Sequence, residues 1–360
     1  MTAYLSKKFT GVETYVPGEQ PRDRSYIKLN TNESPFAPSP AVLAAISAAE
    51  VSSLNLYPDP DARAAAAAIS GAYGLQPENI LLGNGSDELL AFAFQAYCDG
   101  DTPAVYADIT YGFYSVYARI YGAESKIIPL DDNFNINPSD YYGAAGTIFI
   151  ANPNSPTGLT LPLSAIEGIV KENGNNVVVV DEAYVAFGGE SAVPLIKKYE
   201  NLLVIHTMSK SKNLAGARIG FALGQSGLIG DIKTMKFSFN PYNVGRLSLL
   251  AAEAAIGDDD YYNGCVEKII KTRERAAAAL RKRGFSVLPG KANFLFARPG
   301  FMNGKEYYLG LRERGVLVRH FTQKRIEGYV RVTIGDERQM AALLAATDNM
   351  IQENKESASK

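Results

Sequence analysis

The stretch NLLVIHTMSKSKNLAGARIGFAL, residues 201–223, decides how the chain is read. Its apolar run Leu202 to Ile205 predicts a buried strand. The run ends in His206-Thr207-Met208-Ser209-Lys210, a polar turn that puts a lysine where the strand emerges. Ser211, Asn213, Ala215, Gly216 and Ala217 are small and let a bulky group approach the backbone. Arg218 follows, and Ile219 to Leu223 predicts a second strand. A lysine flanked by Ser209 and Arg218 suits a ligand with an aldehyde and a phosphate. The amine forms a Schiff base, and the hydroxyl and guanidinium hold the phosphate. A basic surface turn after a strand accounts for the same residues, so this stretch alone leaves both readings open.

Outward from there, 360 residues allow one large domain and a smaller one. The net charge of −2 offers no general attraction to nucleic acid or to an anionic membrane. Basic residues between Lys268 and Arg283 are spaced by alanines and apolar residues, which reads as a solvated helix face. Two cysteines, Cys98 and Cys265, and two histidines, His206 and His320, argue against a disulfide framework and a zinc site. No metal is expected. The first twenty residues hold Lys7, Lys8, Glu13 and Glu19 and no long apolar run, which argues against a secretory signal. No stretch reaches transmembrane length without polar residues. The expected compartment is the cytoplasm.

Residues 1–35 lack sustained periodicity and predict an extended arm, packed on the small domain or at an interface between subunits. Ser39-Pro40 opens a short alanine-rich helix to Glu50, and Ala62 to Tyr73 resumes as helix. From Ile80 the pattern turns to short β-type runs separated by segments long enough for helices. The runs are Ile80–Leu82, Ala104–Tyr106, Ser125–Pro129, Thr147–Ile150, Val177–Val180 and Leu202–Ile205. Alternation of this kind predicts an α/β fold with a mostly parallel sheet covered on both faces. Ligands then bind beyond the carboxyl ends of the strands. After Asn240 a helical section from Gly245 to Arg283, broken near Gly257, leads to short strands around 286–288, 294–297, 316–319 and 329–334. A final helix runs from Glu337 to about Glu353. We therefore expect an arm (1–35), a large domain (36–240) and a smaller α+β domain (241–360).

Four more clusters bear on chemistry. Gly83-Asn84-Gly85-Ser86-Asp87-Glu88 precedes a helix, whose free N–H groups and dipole favour an anion. An ordinary capped helix would look the same. Asn152-Pro153-Asn154-Ser155-Pro156-Thr157-Gly158 is a stiff loop after a strand, with side chains suited to hydrogen bonding a ring oxygen. Asp181 ends a buried run and is costly there unless it meets a cation or a strong donor. A protonated pyridine nitrogen is such a partner and makes the ring an electron sink; a helix N-cap is the plainer role. Arg319 and Arg331 sit on strand segments and can grip a carboxylate or phosphate with two bonds each.

The ordered set Gly83 to Glu88, Asn152 to Gly158, Asp181-Glu182-Ala183-Tyr184, Thr207-Met208-Ser209-Lys210 and Arg218 resembles fold-type I pyridoxal-phosphate aminotransferases. Leu29-Asn30-Thr31-Asn32-Glu33-Ser34-Pro35, Tyr57-Pro58, Gly315 to Arg319 and Val330 to Gly335 resemble the signatures of the histidinol-phosphate aminotransferase group. The resemblance implies a fold-type I transferase and pyridoxal 5′-phosphate as cofactor. It further implies that Lys210 joins the cofactor aldehyde and moves the α-proton, that Asp181 pairs with the ring nitrogen, and that Tyr184 meets the 3-oxygen. Tyr111 would stack on the ring. Ser86, Ser209, Arg218 and backbone groups of Gly85 and Ser86 would hold the phosphate, with Tyr57 arriving from the second subunit of a homodimer with shared sites, and Asp87 would also contact the cofactor. Asn154 or Ser155 would reach the 3-oxygen, Arg331 the α-carboxylate, and Arg319, Tyr15 and Asn32 the rest of the substrate.

The implied reaction transfers the amino group of L-glutamate to imidazole acetol phosphate, a step of histidine biosynthesis. Three positions depart from the group's usual pattern: Ser155 replaces a second asparagine, Lys212 replaces an apolar residue, and Asp336 follows Gly335. The rival readings are an aromatic-amino-acid aminotransferase, a decarboxylase of a phosphorylated amino acid, and a catalytically silent cofactor-binding regulator. The last usually carries a helix-turn-helix module, for which the chain leaves no room.

Overall fold

The computed structural model describes residues 4–9 and 12–358; positions 1–3, 10 and 11 of the expected arm and the tail end 359–360 lie outside the described residues. The strands are β1 (Ile27–Lys28), β2 (Ile80–Asn84), β3 (Ala104–Ala107), β4 (Ser125–Ile128), β5 (Thr147–Ala151), β6 (Val178–Asp181), β7 (Leu202–Thr207), β8 (Ile219–Gly224), β9 (Ser286–Val287), β10 (Phe294–Arg298), β11 (Val316–Leu317), β12 (Arg319–His320) and β13 (Val330–Thr333). Seven of them form one sheet in the order β2-β8-β7-β6-β5-β3-β4. Every pairing from β7 to β4 is parallel, and β8 runs antiparallel to both its neighbours.

The central runs of β5, β6 and β7 are apolar because both faces of the sheet are covered there, whereas the edge strand β4 carries Ser125 and Lys126 and is mostly exposed. Alternate residues go to opposite cores: Ile148, Ile150, Val178, Val180, Leu202 and Val204 to one, and Phe149, Val179, Leu203 and Ile205 to the other. The helices are α1 (Pro40–Ala45), α2 (Ala48–Ser52), α3 (Arg63–Tyr73), α4 (Gly85–Tyr97), α5 (Phe113–Tyr121), α6 (Leu163–Glu172), α7 (Ser226–Phe239), α8 (Arg246–Ile256), α9 (Asp259–Lys282), α10 (Gly304–Glu313) and α11 (Glu337–Ala358). The single helix expected from Ser39 to Glu50 is two, because Ser39 and Ser47 each cap a new start by accepting a bond from a backbone N–H.

A second sheet, β12-β13-β10-β9, is antiparallel. Its core includes Leu295, Val330 and Val332 with residues of α9, α10 and α11. The arm joins this unit: β1 pairs in parallel with β11, and Leu29 enters the same core. Arg312 and Tyr308 of α10 hold the Glu19 carboxylate. The expected division falls at residue 240, and the packing beyond it is shared between the two cores. Val244, Ala251, Ala252, Ala255 and Tyr262 pack into the core of the seven-stranded sheet, whereas Val266 and Ile269 belong to the smaller unit. The two cores separate within α9, because α8 turns its alanine face onto the large sheet before the chain leaves it. No helix among the described residues is long and apolar enough to cross a membrane.

Candidate active site

The parallel strands β5, β6 and β7 are in register at their carboxyl ends, Ala151 opposite Asp181 and Asp181 opposite Ile205. Beyond those ends lies a cleft of about 190 Å³, walled by the large sheet, the arm and β12–β13. Lys210 leaves the turn after β7 and enters this cleft. Its Nζ donates to the Thr31 carbonyl at 3.4 Å and has no carboxylate within 4 Å among the described residues. Burial, reinforced by the positive charges of Arg331 and Arg218, pushes the amine down to about 8. Lys212 goes elsewhere: it pairs with Asp259 at 2.7 Å and lines a separate pocket.

Asp181 faces the same cleft. One oxygen accepts from the Ala183 N–H at 3.1 Å and the other from the Tyr114 hydroxyl at 3.2 Å. It has no cationic partner within 4 Å among the described residues, and burial raises it to about 6. Directly after it, Glu182 is fully buried and bonded to His206 Nε2 (2.8 Å), the Ser191 hydroxyl (2.6 Å) and the Ala192 N–H (2.6 Å). These bonds tie the turn after β6 to β7. Tyr184 lines the cleft, and its hydroxyl accepts from Asn32 Nδ2 at 2.9 Å.

The opposite end of the cleft is an anion cradle. Ser86 and Asp87 lie in the first turn of α4, where N–H groups lack helical partners. Ser209 and Arg218 close it. Arg218 has φ +53, and its guanidinium meets Asp87 Oδ2 at 3.2 Å; Asp87 Oδ1 accepts from the Tyr111 hydroxyl at 2.6 Å. Gly85 is not part of the wall but is needed for its shape: a Cβ there would sit 2.6 Å from Arg218 Nη2. A Cβ on Gly220 would sit 2.5 Å from the Ser86 nitrogen, so this glycine lets β8 pass under the helix start.

At the mouth, Arg331 donates to Ser155 Oγ (3.1 Å) and the Asn30 carbonyl (3.4 Å), and its Nε is buried without a partner. Arg319 donates to the carbonyls of Val16 and Pro17 on the arm, next to Tyr15, which also lines the cleft. Neither arginine has a carboxylate within 4 Å among the described residues. Two guanidiniums open to a cleft and lacking counter-ions suit a substrate with two anionic groups.

Of the expected residues, Tyr15, Asn32, Ser86, Asp87, Tyr111, Asp181, Tyr184, Ser209, Lys210, Arg218, Arg319 and Arg331 line one cleft. Asn154 does not. Its amide donates to the Ile109 carbonyl and Thr157 Oγ1, and its oxygen accepts from Thr110, all behind the wall. Ser155 is the residue of that loop on the cleft side. Tyr57 is also outside its own chain's cleft, 78% exposed and stacked on Tyr242. Asn30, Thr31 and Thr207 line the cleft and were not singled out; Asn30 and Thr31 lay inside a motif read for its resemblance only. Tyr114 had no signal in a stretch crowded with tyrosines. No cluster of metal-ligating side chains occurs among the described residues.

Residues 24–346 match the family model described as aminotransferase class I and II. The chain is 48% identical to the histidinol-phosphate aminotransferase of Marinomonas sp. over 96% of this chain and 99% of that one. It is likewise 48% identical to that of Aromatoleum aromaticum, over 98% and 100%. Among solved structures, the Sinorhizobium meliloti histidinol-phosphate aminotransferase in complex with pyridoxal-5′-phosphate superposes with a TM-score of 0.87 at 24% identity, covering 98% of this chain and 99% of that one. The Clostridium acetobutylicum protein of the same name gives 0.84 at 24%, covering 91% and 99%. At that identity the two structures bear on the fold alone.

Proposed function

The chain belongs to the class I and II aminotransferases, in the histidinol-phosphate aminotransferase group, and from that premise we propose that it moves the amino group of L-glutamate to imidazole acetol phosphate, giving L-histidinol phosphate and 2-oxoglutarate with pyridoxal 5′-phosphate as cofactor. The observation that carries the reading is a complementary trio in one cleft: a buried amine without a counter-ion, a buried carboxylate without a cation, and a serine–arginine cradle at a helix start. An aldehyde, a pyridine nitrogen and a phosphate answer those three in turn. Names of relatives, including the cofactor complex of the Sinorhizobium meliloti protein, support the same assignment.

When bound, the cofactor supplies an aldehyde and a cationic ring that accepts electron density from the substrate α-carbon. The rest falls to the chain. Lys210, lowered to about 8, has roughly a tenth of its amine free of a proton at pH 7. It would hold the cofactor through its aldehyde carbon and, as the amine freed when substrate takes that place, carry the proton from the α-carbon. Asp181 would keep the ring nitrogen protonated, and that pairing relieves the cost of its burial. Ser86, Ser209 and Arg218 would anchor the phosphate, and Tyr111 and Tyr184 would fix the ring between them. Arg331 would take the α-carboxylate and Arg319 the distal carboxylate or phosphate, which lets one pocket serve both partners. Asn32, which holds the Tyr184 hydroxyl, would orient it toward the 3-oxygen.

The working unit in this reading is a homodimer in the cytoplasm. Leu54, Leu56, Tyr57, Phe239 and Tyr242 are exposed apolar residues outside the chain's own cleft, a surface suited to a second copy. The deciding experiment is a substrate panel on the cofactor-loaded protein, with 2-oxoglutarate as acceptor. Histidinol phosphate should react fastest. Dominance of phenylalanine would replace the reading with an aromatic aminotransferase, and carbon dioxide release from threonine phosphate with a decarboxylase. Cofactor binding with no half-reaction would leave only the regulator.

A further inference from the structure

Asp181 receives two hydrogen bonds of different origin. The one from the Ala183 N–H belongs to its own turn, two residues on, and any aspartate there would make it. The one from Tyr114 crosses 67 residues of chain and is its tertiary donor. Tyr114 sits on α5, fully buried, and does not line the cleft. Its ring is wedged between Phe94 (centroids 6.0 Å apart), Phe149 (5.8 Å) and Tyr106 (5.8 Å), so the hydroxyl has little freedom to turn away. It also meets Tyr111 edge-on at 5.7 Å with an interplanar angle of 88°. Tyr111 in turn holds Asp87, which holds Arg218. One buried ring therefore touches both the carboxylate that the proposed function assigns to the ring nitrogen and the aromatic that it assigns to the ring face.

We propose that Tyr114 is a positioning residue: its hydroxyl fixes the rotation and charge of the Asp181 carboxylate, and its ring sets the angle of Tyr111. This rests on the reading of the cleft as a pyridoxal-phosphate site. A phenol that donates to a carboxylate favours the ionised acid, offsetting part of the burial that raises it. The other titratable groups acting on Asp181 are Asp87 on α4, His206 on β7, Tyr117 on α5 and Tyr184 just beyond β6. Among the described residues Tyr114 is the side chain that bonds it.

Tyr114→Phe removes one oxygen and keeps the ring. In the full-length chain freed of cofactor, Asp181, followed by carboxyl ¹³C NMR, should titrate about one pH unit higher than in the wild type. The dissociation constant for pyridoxal phosphate should rise about twofold at pH 7, where a one-unit shift leaves about half of Asp181 ionised, and approach tenfold near pH 5. Asp181→Asn should weaken binding too, and adding Tyr114→Phe to it should cost nothing more. Thermal unfolding of each variant checks that the fold survives. An unchanged Asp181 titration in Tyr114→Phe, or equal losses in the wild-type and Asp181→Asn backgrounds, overturns the proposal and leaves Tyr114 a core residue. Failure of the wild-type chain to bind pyridoxal phosphate overturns the proposed function instead, so the two failures are told apart.

Discussion

Replacing Arg331 by methionine should separate binding from stability, in opposite directions. The guanidinium is desolvated, which lowers its basicity, and among the described residues it makes two hydrogen bonds, to Ser155 Oγ and the Asn30 carbonyl. Nε is unpartnered and no carboxylate lies within 4 Å among the described residues, so beyond those bonds the charge has the faces of Phe294 and Phe321, 5.3 and 5.8 Å from their centroids. Its desolvation at the cleft wall works against the roughly 1 kcal/mol recovered by each of two modest bonds. Arg331→Met should therefore leave the ligand-free protein as stable as the wild type, or more so, by denaturant titration. The substrate carboxylate would lose a bidentate partner, and two charge-assisted bonds at about 1.5–3 kcal/mol each amount to a loss of roughly 10² to 10⁴ in kcat/KM. Single-turnover absorbance with glutamate and with histidinol phosphate measures it. A loss under tenfold for both, or destabilisation of several kcal/mol, would refute the view that Arg331 is held ready for an anion.

Lys210→Ala should abolish the long-wavelength absorbance of the cofactor-loaded protein, and Lys212→Ala should retain it, since Lys212 is committed to Asp259 in another pocket; the reverse result would move the nucleophile. Gly220→Ala should cost about 1–3 kcal/mol by overpacking and loosen the cradle, because the new Cβ would meet backbone of Gly85 and Ser86; denaturant titration and cofactor affinity check both. Lys236, buried away from the cleft and donating to the Pro60 and Leu82 carbonyls, is lowered to about 8 by burial. The unfolded chain binds its proton up to about 10.5, so the folded state bears the cost below pH 8 and sheds it between 8 and 10.5. Lys236→Met should thus raise stability at pH 7, with the gain shrinking toward pH 10.5; a pH-independent effect would contradict this.

The seven-stranded sheet was legible because its central strands are apolar runs followed by polar turns, a pattern that two covered faces impose. The lysine, aspartate and glycine clusters could be placed at strand ends for the same reason. Which core α8 and α9 would join was not legible: both carry the same alanine-rich periodicity, and a helix does not announce which core its face will meet. Asn154 and Ser155 show the same limit at one residue. Neighbours on a stiff loop point to opposite sides, and only the packing of Thr110, Ile109 and Thr157 around Asn154 turns Ser155 to the cleft.

By itself, then, the order of residues determined the α/β class and placed Lys210 and Asp181 at strand ends, because apolar runs and polar turns follow from local pattern; the roles proposed for them, and for Arg218, came from the resemblance. Tertiary structure alone decided that the arm closes the cleft, that Arg331 and Arg319 face it without counter-ions, and that Tyr114 reaches Asp181. Those contacts join residues tens to hundreds of positions apart, and their geometry depends on how whole sheets and helices pack.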